Sequence, residues 1–275
     1  GAVRTHTING SGLLTSVGGE TRTAGGSGDL GIQKIEIDGK LLVDSGVSVT
    51  NVPSIASTVR ANPSAGFSIV SYTGNATSGS TVGHGLNATP KMVIYKNRND
   101  ASDWRVYNTM ADGSLDILYL NTTAAKTDSG LATFTNSVFT VGSSNDTNGS
   151  GDDILALCFA PVEGYSAMGS YQGNGNASGP FIYTGFKIAW LMVKCSSAGS
   201  TNWIVMDAAR DVDNVVQKTL LPNTSGAEAS IDRLDFLSNG FKLKSTAGSL
   251  NASGETFVYL AFASNPFASN GGLAR

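Results

Sequence analysis

The chain repeats itself at long range, and this constrains its fold more than any other feature of the sequence. Ser71-Tyr72-Thr73-Gly74-Asn75 returns 99 residues later as Ser170-Tyr171-Gln172-Gly173-Asn174, and Met92-Val93-Ile94-Tyr95-Lys96 returns 98 residues later as Trp190-Leu191-Met192-Val193-Lys194. Trp104-Arg105-Val106-Tyr107 matches Trp203-Ile204-Val205-Met206 at an offset of 99, Phe139 matches Phe241 at 102, and the run from Gly151 to Ala160 meets Gly254 to Ala263 at 103. Collinear matches whose offset drifts slowly are what fixed strands joined by loops of unequal length produce. Two units of about 100 residues are too few and too large for a solenoid or a propeller, so they read as tandem domains.

The expected organisation is an N-terminal strand and linker segment over residues 1–65, a first module over 66–164, and a second over 165–275 that ends in a short tail. Apolar runs within each module are short, rich in Val, Ile, Tyr, Phe and Thr, and bounded by Gly, Asn and Ser, which is a strand signature. The first module offers strands at 67–73, 91–97, 104–108, 115–120, 131–134, 137–141 and 154–160; the second offers 169–173, 188–195, 203–207, 215–220, 232–236, 241–244 and 256–263. The expected fold class is all-β, two jelly-roll-like or immunoglobulin-like β-sandwiches in tandem. Ile154-Leu155-Ala156-Leu157-Cys158-Phe159-Ala160 and its repeat are apolar at every position, so each needs cover on both faces, from its own sandwich and from a neighbouring module or chain. Upstream, Ile32 to Val43 alternates around Asp38-Gly39, a hairpin signal. Gly18–Gly31 reads as a spacer, and Asn51–Ser64, with Pro53 and Pro63, as a linker.

Composition narrows the function. Gly, Ser, Thr and Asn make up 113 of 275 residues while charged residues are 14%, which argues against helical bundles and coiled coils. With a net charge of −3 and no basic run, the chain has no electrostatic footprint for nucleic acid. No window approaches 18 consecutive apolar residues, so neither a membrane span nor a signal-peptide core is expected. The chain opens on Gly1 rather than Met, as a processed chain or a piece of a longer polypeptide would.

Catalytic and metal chemistry finds few residues to use. The two cysteines, Cys158 and Cys195, sit in strand-like runs without CxxC spacing, where Cys158 reads as a small buried hydrophobe. His6 and His84 are the only histidines, there is no GxSxG, and His84 belongs to a Gly-His-Gly-Leu turn; hydrolase triads and zinc sites are therefore not expected. Gly83-His84-Gly85-Leu86-Asn87-Ala88 fits GxGxxA, but a strand follows it rather than the helix a phosphate cradle needs. The loop from Asn145 to Asp153 places Asp146, Asn148, Ser150 and Asp152 on alternate residues, like the first half of a calcium loop. Leu157 stands where the bidentate Glu belongs, so the competing reading is a turn that uses Asn, Asp and Gly for their dihedrals. Calcium is the one cofactor the sequence suggests. Asp112, Asp116, Asp152, Asp153, Asp207, Asp211, Asp213 and Glu255 offer carboxylate pairs in the formal sense only. Trp104 and Trp203, at matching repeat positions, are expected in the core rather than on a sugar-stacking platform.

Gly66-Phe67-Ser68-Ile69-Val70-Ser71-Tyr72-Thr73-Gly74, Val82-Gly83-His84-Gly85-Leu86, Pro90 to Arg98 and Trp104 in Asp-Trp-Arg-Val-Tyr carry a family resemblance. The first module resembles a duplicated β-rich module of marine bacteriophage and cyanophage structural proteins, often described as tail-fibre-like. Residues 37–63 are similar to the segment that joins this module to an upstream lectin-like sandwich in longer members. The second module departs, with Pro180-Phe181-Ile182-Tyr183-Thr184-Gly185 in place of the Gly-His-Gly-Leu turn. The resemblance implies a non-enzymatic virion structural protein: a fibre, tail or capsid-surface component at the virion surface. It would act in assembly or host attachment, as a homo-oligomer (a trimer by analogy with fibres) with other virion proteins as partners. The alternative is a glycan-binding module that recognises host-surface glycans through its loops. Neither nucleic acid nor membrane is an expected partner.

Overall fold

The computed structural model describes residues 53–265, apart from the side chains of Ile231 and Asp232, together with the backbone of 35–37 and 40–42. The chain divides into two units, Gly1–Val49 and Thr50–Arg275. In the first, β1 (Ile35–Ile37) and β2 (Lys40–Leu42) pair antiparallel with Ile37 opposite Lys40, the hairpin that Asp-Gly signals. The Gly18–Gly31 stretch and His6 lie outside the described residues.

The second unit is built almost wholly from strands. Its first half contains β3 (Ser57–Asn62), β4 (Phe67–Thr73), β5 (Ser80–Gly83), β6 (Met92–Asn97), β7 (Arg105–Asn108), β8 (Asp116–Tyr119), β9 (Thr127–Asp128), β10 (Val138–Val141), the helical turn α1 (Asn145–Asn148) and β11 (Asp153–Phe159). Its second half contains β12 (Ser166–Gln172), β13 (Phe181–Tyr183), β14 (Ile188–Cys195), β15 (Trp203–Asp207), β16 (Val216–Thr219), β17 (Ala229–Leu237), β18 (Gly240–Leu243), α2 (Gly248–Asn251) and β19 (Thr256–Ala263). The strand order β3-β4-β11-β6-β7-β8-β9 forms one sheet, and β10-β5 forms the ribbon facing it. In the second half the orders are β12-β19-β14-β15 and β13-β18-β17-β16. All of these pairings are antiparallel.

Alternation along each strand decides what it covers. On β11, Ile154, Ala156 and Cys158 enter a core with Val70, Tyr72, Val93, Tyr95 and Tyr107, closed by Val82, Phe139 and Val141 of the ribbon. On β19, Phe257, Tyr259 and Ala261 enter a second core with Tyr171, Leu191, Val193 and Ile204, closed by Ile182, Phe236, Phe241 and Leu243. The opposite faces of the two central sheets meet in a third cluster: Met92, Ile94, Val106 and Leu118 pack with Met192, Trp203, Val205, Val258 and Leu260, while Leu157, Phe159 and Phe262 flank them. The double-faced apolar runs of β11 and β19 are thus covered by the neighbouring module, and four β layers enclose three cores. Each fully buried large apolar side chain contributes roughly 1.5–3 kcal/mol.

Two sequence readings need correction. The supposed linker contains β3, which pairs with β4 along its length from Ser57 opposite Tyr72 to Asn62 opposite Phe67. Pro63 starts a 3-10 turn over Pro63–Ala65, with the Ala65 N–H donating to Asn62 Oδ1 at 3.2 Å, and Gly66 takes the left-handed φ of 62° that reverses the chain. A proline there marks a hairpin, not a tether. The strand expected at 131–134 is irregular backbone: Phe134 is buried and Leu131 packs on the same core, a three-residue spacing that the two-residue period of a strand does not give.

Candidate functional site

The four residues read as half a calcium loop do not converge. Residues 145–148 close into the helical turn α1, with the Asn148 N–H on the Ser144 carbonyl at 2.8 Å, and a helical turn rotates alternate side chains apart. Asp146 turns to Arg105, 3.5 Å from its guanidinium. Asn148 turns inward, Ser150 faces solvent, and Asp152 accepts a hydrogen bond from Asn97 Nδ2 at 2.7 Å. Among the described residues, no group of three His, Cys, Asp or Glu could hold a metal ion. The loop's Asn and Asp residues serve the turn itself.

Asn148 shows what that service is. Its Nδ2 donates to Asn75 Oδ1, the Thr77 carbonyl and the Gly142 carbonyl at 3.0, 3.1 and 2.7 Å, and its Oδ1 accepts from the Asn75 N–H at 2.8 Å. Tyr72 Oη donates to the Thr147 carbonyl beside it. The second half repeats the arrangement at Asn251, whose Nδ2 donates to Asn174 Oδ1, the Asn176 carbonyl and the Ser245 carbonyl at 3.0, 2.9 and 2.9 Å. Asn251 Oδ1 accepts from the Asn174 N–H at 2.9 Å, and Tyr171 Oη donates to the Leu250 carbonyl at 2.8 Å. A Cβ on Gly74 would lie 2.1 Å from the Gly149 carbonyl oxygen, and one on Gly173 would lie 2.2 Å from that of Ala252. Only glycine lets these chains approach so closely.

Beside α1 the guanidinium of Arg105 lies 5.7 Å from the Tyr107 ring centroid and 5.5 Å from that of Tyr119, and it donates to Tyr119 Oη at 3.1 Å. Burial raises the Tyr107 phenol above its ordinary value, against the pull of Arg105. The sequence reading missed this cluster, although Arg105 and Tyr107, two apart on one strand, already share a face. At the β3–β4 end of the same sheet, Ser57, Thr58, Ser71, Thr73, Arg98 and Asp153, with Ala56 and Tyr72, line an open groove of about 330 Å³. Ser71 and Thr73 alternate with the core-facing Val70 and Tyr72, so they stand on the far side of the sheet from that core.

The remaining candidates are tied into the scaffold. His84 is fully buried; its Nδ1 accepts from the Leu86 N–H, its Nε2 sits 3.2 Å from the Thr135 carbonyl, and burial lowers its pKa. Burial pushes the Cys158 thiol up to about 12, and Cys195 is buried as well. Asp112 and Asp116 do come together, on Lys126 Nζ at 2.6 and 2.8 Å. The hydrogen bonds from Lys126 and Ser114 hold Asp112 down to about 2, unsuited to a general acid at neutral pH. Asp207 pairs with Arg210 at 2.6 Å, Asp211 accepts the Gln217 and Lys218 N–H groups, and Glu255 accepts the Ser197 hydroxyl. Trp203 is buried as expected, and its Nε1 donates to the Tyr119 carbonyl of the first module at 2.8 Å. Trp104 is not a core residue: the stacked sheets cover Trp203 but leave Trp104 37% exposed at their rim.

Fold and site together define an all-β protein of stacked antiparallel sheets whose loop ends are knotted by buried asparagines. Residues 42–266 match the family described as Domain of unknown function (DUF7483), and the chain belongs to that family. No curated protein and no solved structure matches the chain. No helix among the described residues is long and apolar enough to cross a membrane.

Proposed function

We propose that this chain is a non-enzymatic virion structural protein, a fibre, tail or capsid-surface component that acts at the virion surface in assembly or host attachment. It assembles as a homo-oligomer with other virion proteins. The virion context rests on the resemblance of residues 66–104 to tail-fibre-like phage modules. The observation that carries the structural role is the use made of reactive side chains: His84, Cys158, Asn148 and Asn251 are all buried, the histidine and the asparagines in bonds that fix loops. Lys194 is likewise buried, its Nζ donating to the Cys195 carbonyl and Thr201 Oγ1, both at 2.8 Å. Such a chain offers rigidity rather than a poised nucleophile or base. Immuno-electron microscopy of purified particles tests the reading: label on the virion surface is expected, and unlabelled particles from a host that expresses the chain would overturn it.

The groove at Arg98 and Asp153 favours a second reading, a glycan-binding module. The hydroxyls of Thr58, Ser71 and Thr73 beside one cation and one carboxylate suit the hydroxyl-rich edge of a sugar. Binding on a glycan array that disappears in Arg98→Ala and Asp153→Ala would support it, and no binding across a broad array would count against it.

A further inference from the structure

The two halves treat one sheet edge differently. In the first, Gly66 and Gly74 at the ends of β4 bond to β11, so Phe67, Ile69 and Ser71 direct their backbone groups to the other side. There β3 meets them, with Asn62, Arg60 and Thr58 opposite. In the second half, the Tyr165 carbonyl and the Gly173 N–H bond to Ala263 and Glu255 at the two ends of β19, so Met168, Ser170 and Gln172 direct their backbone groups outward, while Ser166 exchanges its outward N–H and carbonyl with Val162 of the same chain. Among the described residues, β19 is the one strand that pairs with β12. The chain explains why. The residues that precede β12 at the spacing by which β3 precedes β4 are 156–161, and most of these already form β11 at the centre of the first sheet.

Edges left open in natural sheets usually carry Lys, Pro, a bulge or an inward charge that discourages pairing. β12 reads Ser-Ala-Met-Gly-Ser-Tyr-Gln, without charge or proline, and its ladder to β19 runs without a register shift. Ser170 and Gln172 are exposed and Gly169 has no side chain, so the edge from Met168 to Gln172 is open to an approaching strand, and Val162 closes it at Ser166.

We propose that β12 is the contact by which two copies of this chain associate, each β12 pairing antiparallel with the other across a two-fold axis. Ser170 then lies opposite Ser170 of the second copy and Met168 opposite its Gln172, which matches free outward groups to free outward groups. The same register keeps the core-facing side of β12 on one side of the joined sheet. One surface meets itself, so the assembly closes as a dimer, in place of the trimer expected by analogy with fibres. The proposal rests on the assembly reading above only in taking a second copy as the partner.

The experiment is sedimentation equilibrium of the full chain at micromolar concentration, wild type against Ser170→Lys and Ser170→Pro. Lys places like charges across the pair, and Pro removes an outward N–H that β19 does not use. The expected wild-type mass is that of a dimer, halved in both variants, with faster hydrogen exchange at Met168 and Gln172. Should Pro disturb folding, Lys at this exposed position still decides. An oligomer that both variants leave intact overturns the β12 contact while sparing homo-oligomeric assembly; a monomeric wild type overturns both.

Discussion

Trp104, just before β7, and Trp203, the first residue of β15, occupy matching repeat positions, yet one is 37% exposed and the other 1%. Trp203→Ala is expected to cost about 3–5 kcal/mol in urea unfolding, because it opens a cavity between the modules and leaves the Tyr119 carbonyl without its donor. Trp104→Ala is expected to cost less than about 1 kcal/mol, as an exposed substitution. No sequence pattern separated the two, since both follow a loop and precede a β-branched residue two positions on; only the offset between the stacked sheets does. Lys194 gives a pH signature. Burial pushes its ammonium down to about 8, below the unfolded value of 10.5. Between those values the unfolded chain holds a proton that the native chain has lost, so this group makes stability rise with pH. Cys158, held up at about 12 against 9.0, works the other way from pH 9 upward. The denaturation midpoint of wild type relative to Lys194→Met should therefore increase between pH 7.5 and 9; a flat difference would show that the ammonium is not desolvated.

At the scale of elements, α1 and α2 are too short to persist alone and are held from outside by one amide each. Asn148→Ala or Asn251→Ala should destabilise by about 2–4 kcal/mol, because several buried acceptors lose their donor together. Asn148→Asp, which keeps the size but not the donor, should behave similarly in the same unfolding assay, and full recovery by Asp would refute the donor role. Gly74→Ala and Gly173→Ala should cost at least as much as the Asn changes, since a carbonyl lies where each methyl would sit. Much of this layer was legible beforehand. The strands at 67–73, 188–195, 203–207 and 256–263 match β4, β14, β15 and β19 residue for residue, because alternation or a continuous apolar run defines them. β3 was not legible: it lies at a sheet edge with mostly exposed residues, between two prolines, and its partner rather than its own pattern makes it a strand. The metal reading failed for a related reason. Alternate oxygen ligands describe an extended loop and a helical turn equally well in sequence, and the pull of Asn148 toward the Asn75 turn decides between them.

At the scale of the whole second unit, the cluster shared by Met92, Ile94, Val106 and Leu118 with Met192, Trp203, Val205 and Leu260 couples the two halves. Thermal unfolding followed by Trp fluorescence and by far-ultraviolet circular dichroism should give one coincident transition. Leu118→Asp, which buries a charge in that layer, should lower the single midpoint seen by both probes. A second transition left at the wild-type temperature would mean the halves fold independently. The repeat, legible from the first comparison of residues 71–75 with 170–174, indicated two modules; it did not indicate that they face each other through corresponding strands, because apolar positions on β11 and β19 do not say which surface covers them. That facing has an evolutionary consequence. Ile94 meets the partner sheet from the place where Met192 does, and Leu157 from the place where Leu260 does. Loss of either half by deletion would uncover an apolar sheet face on the survivor, so a half inherited alone would have to replace that face or cover it with a second copy of itself, and exchange of single halves by recombination is disfavoured.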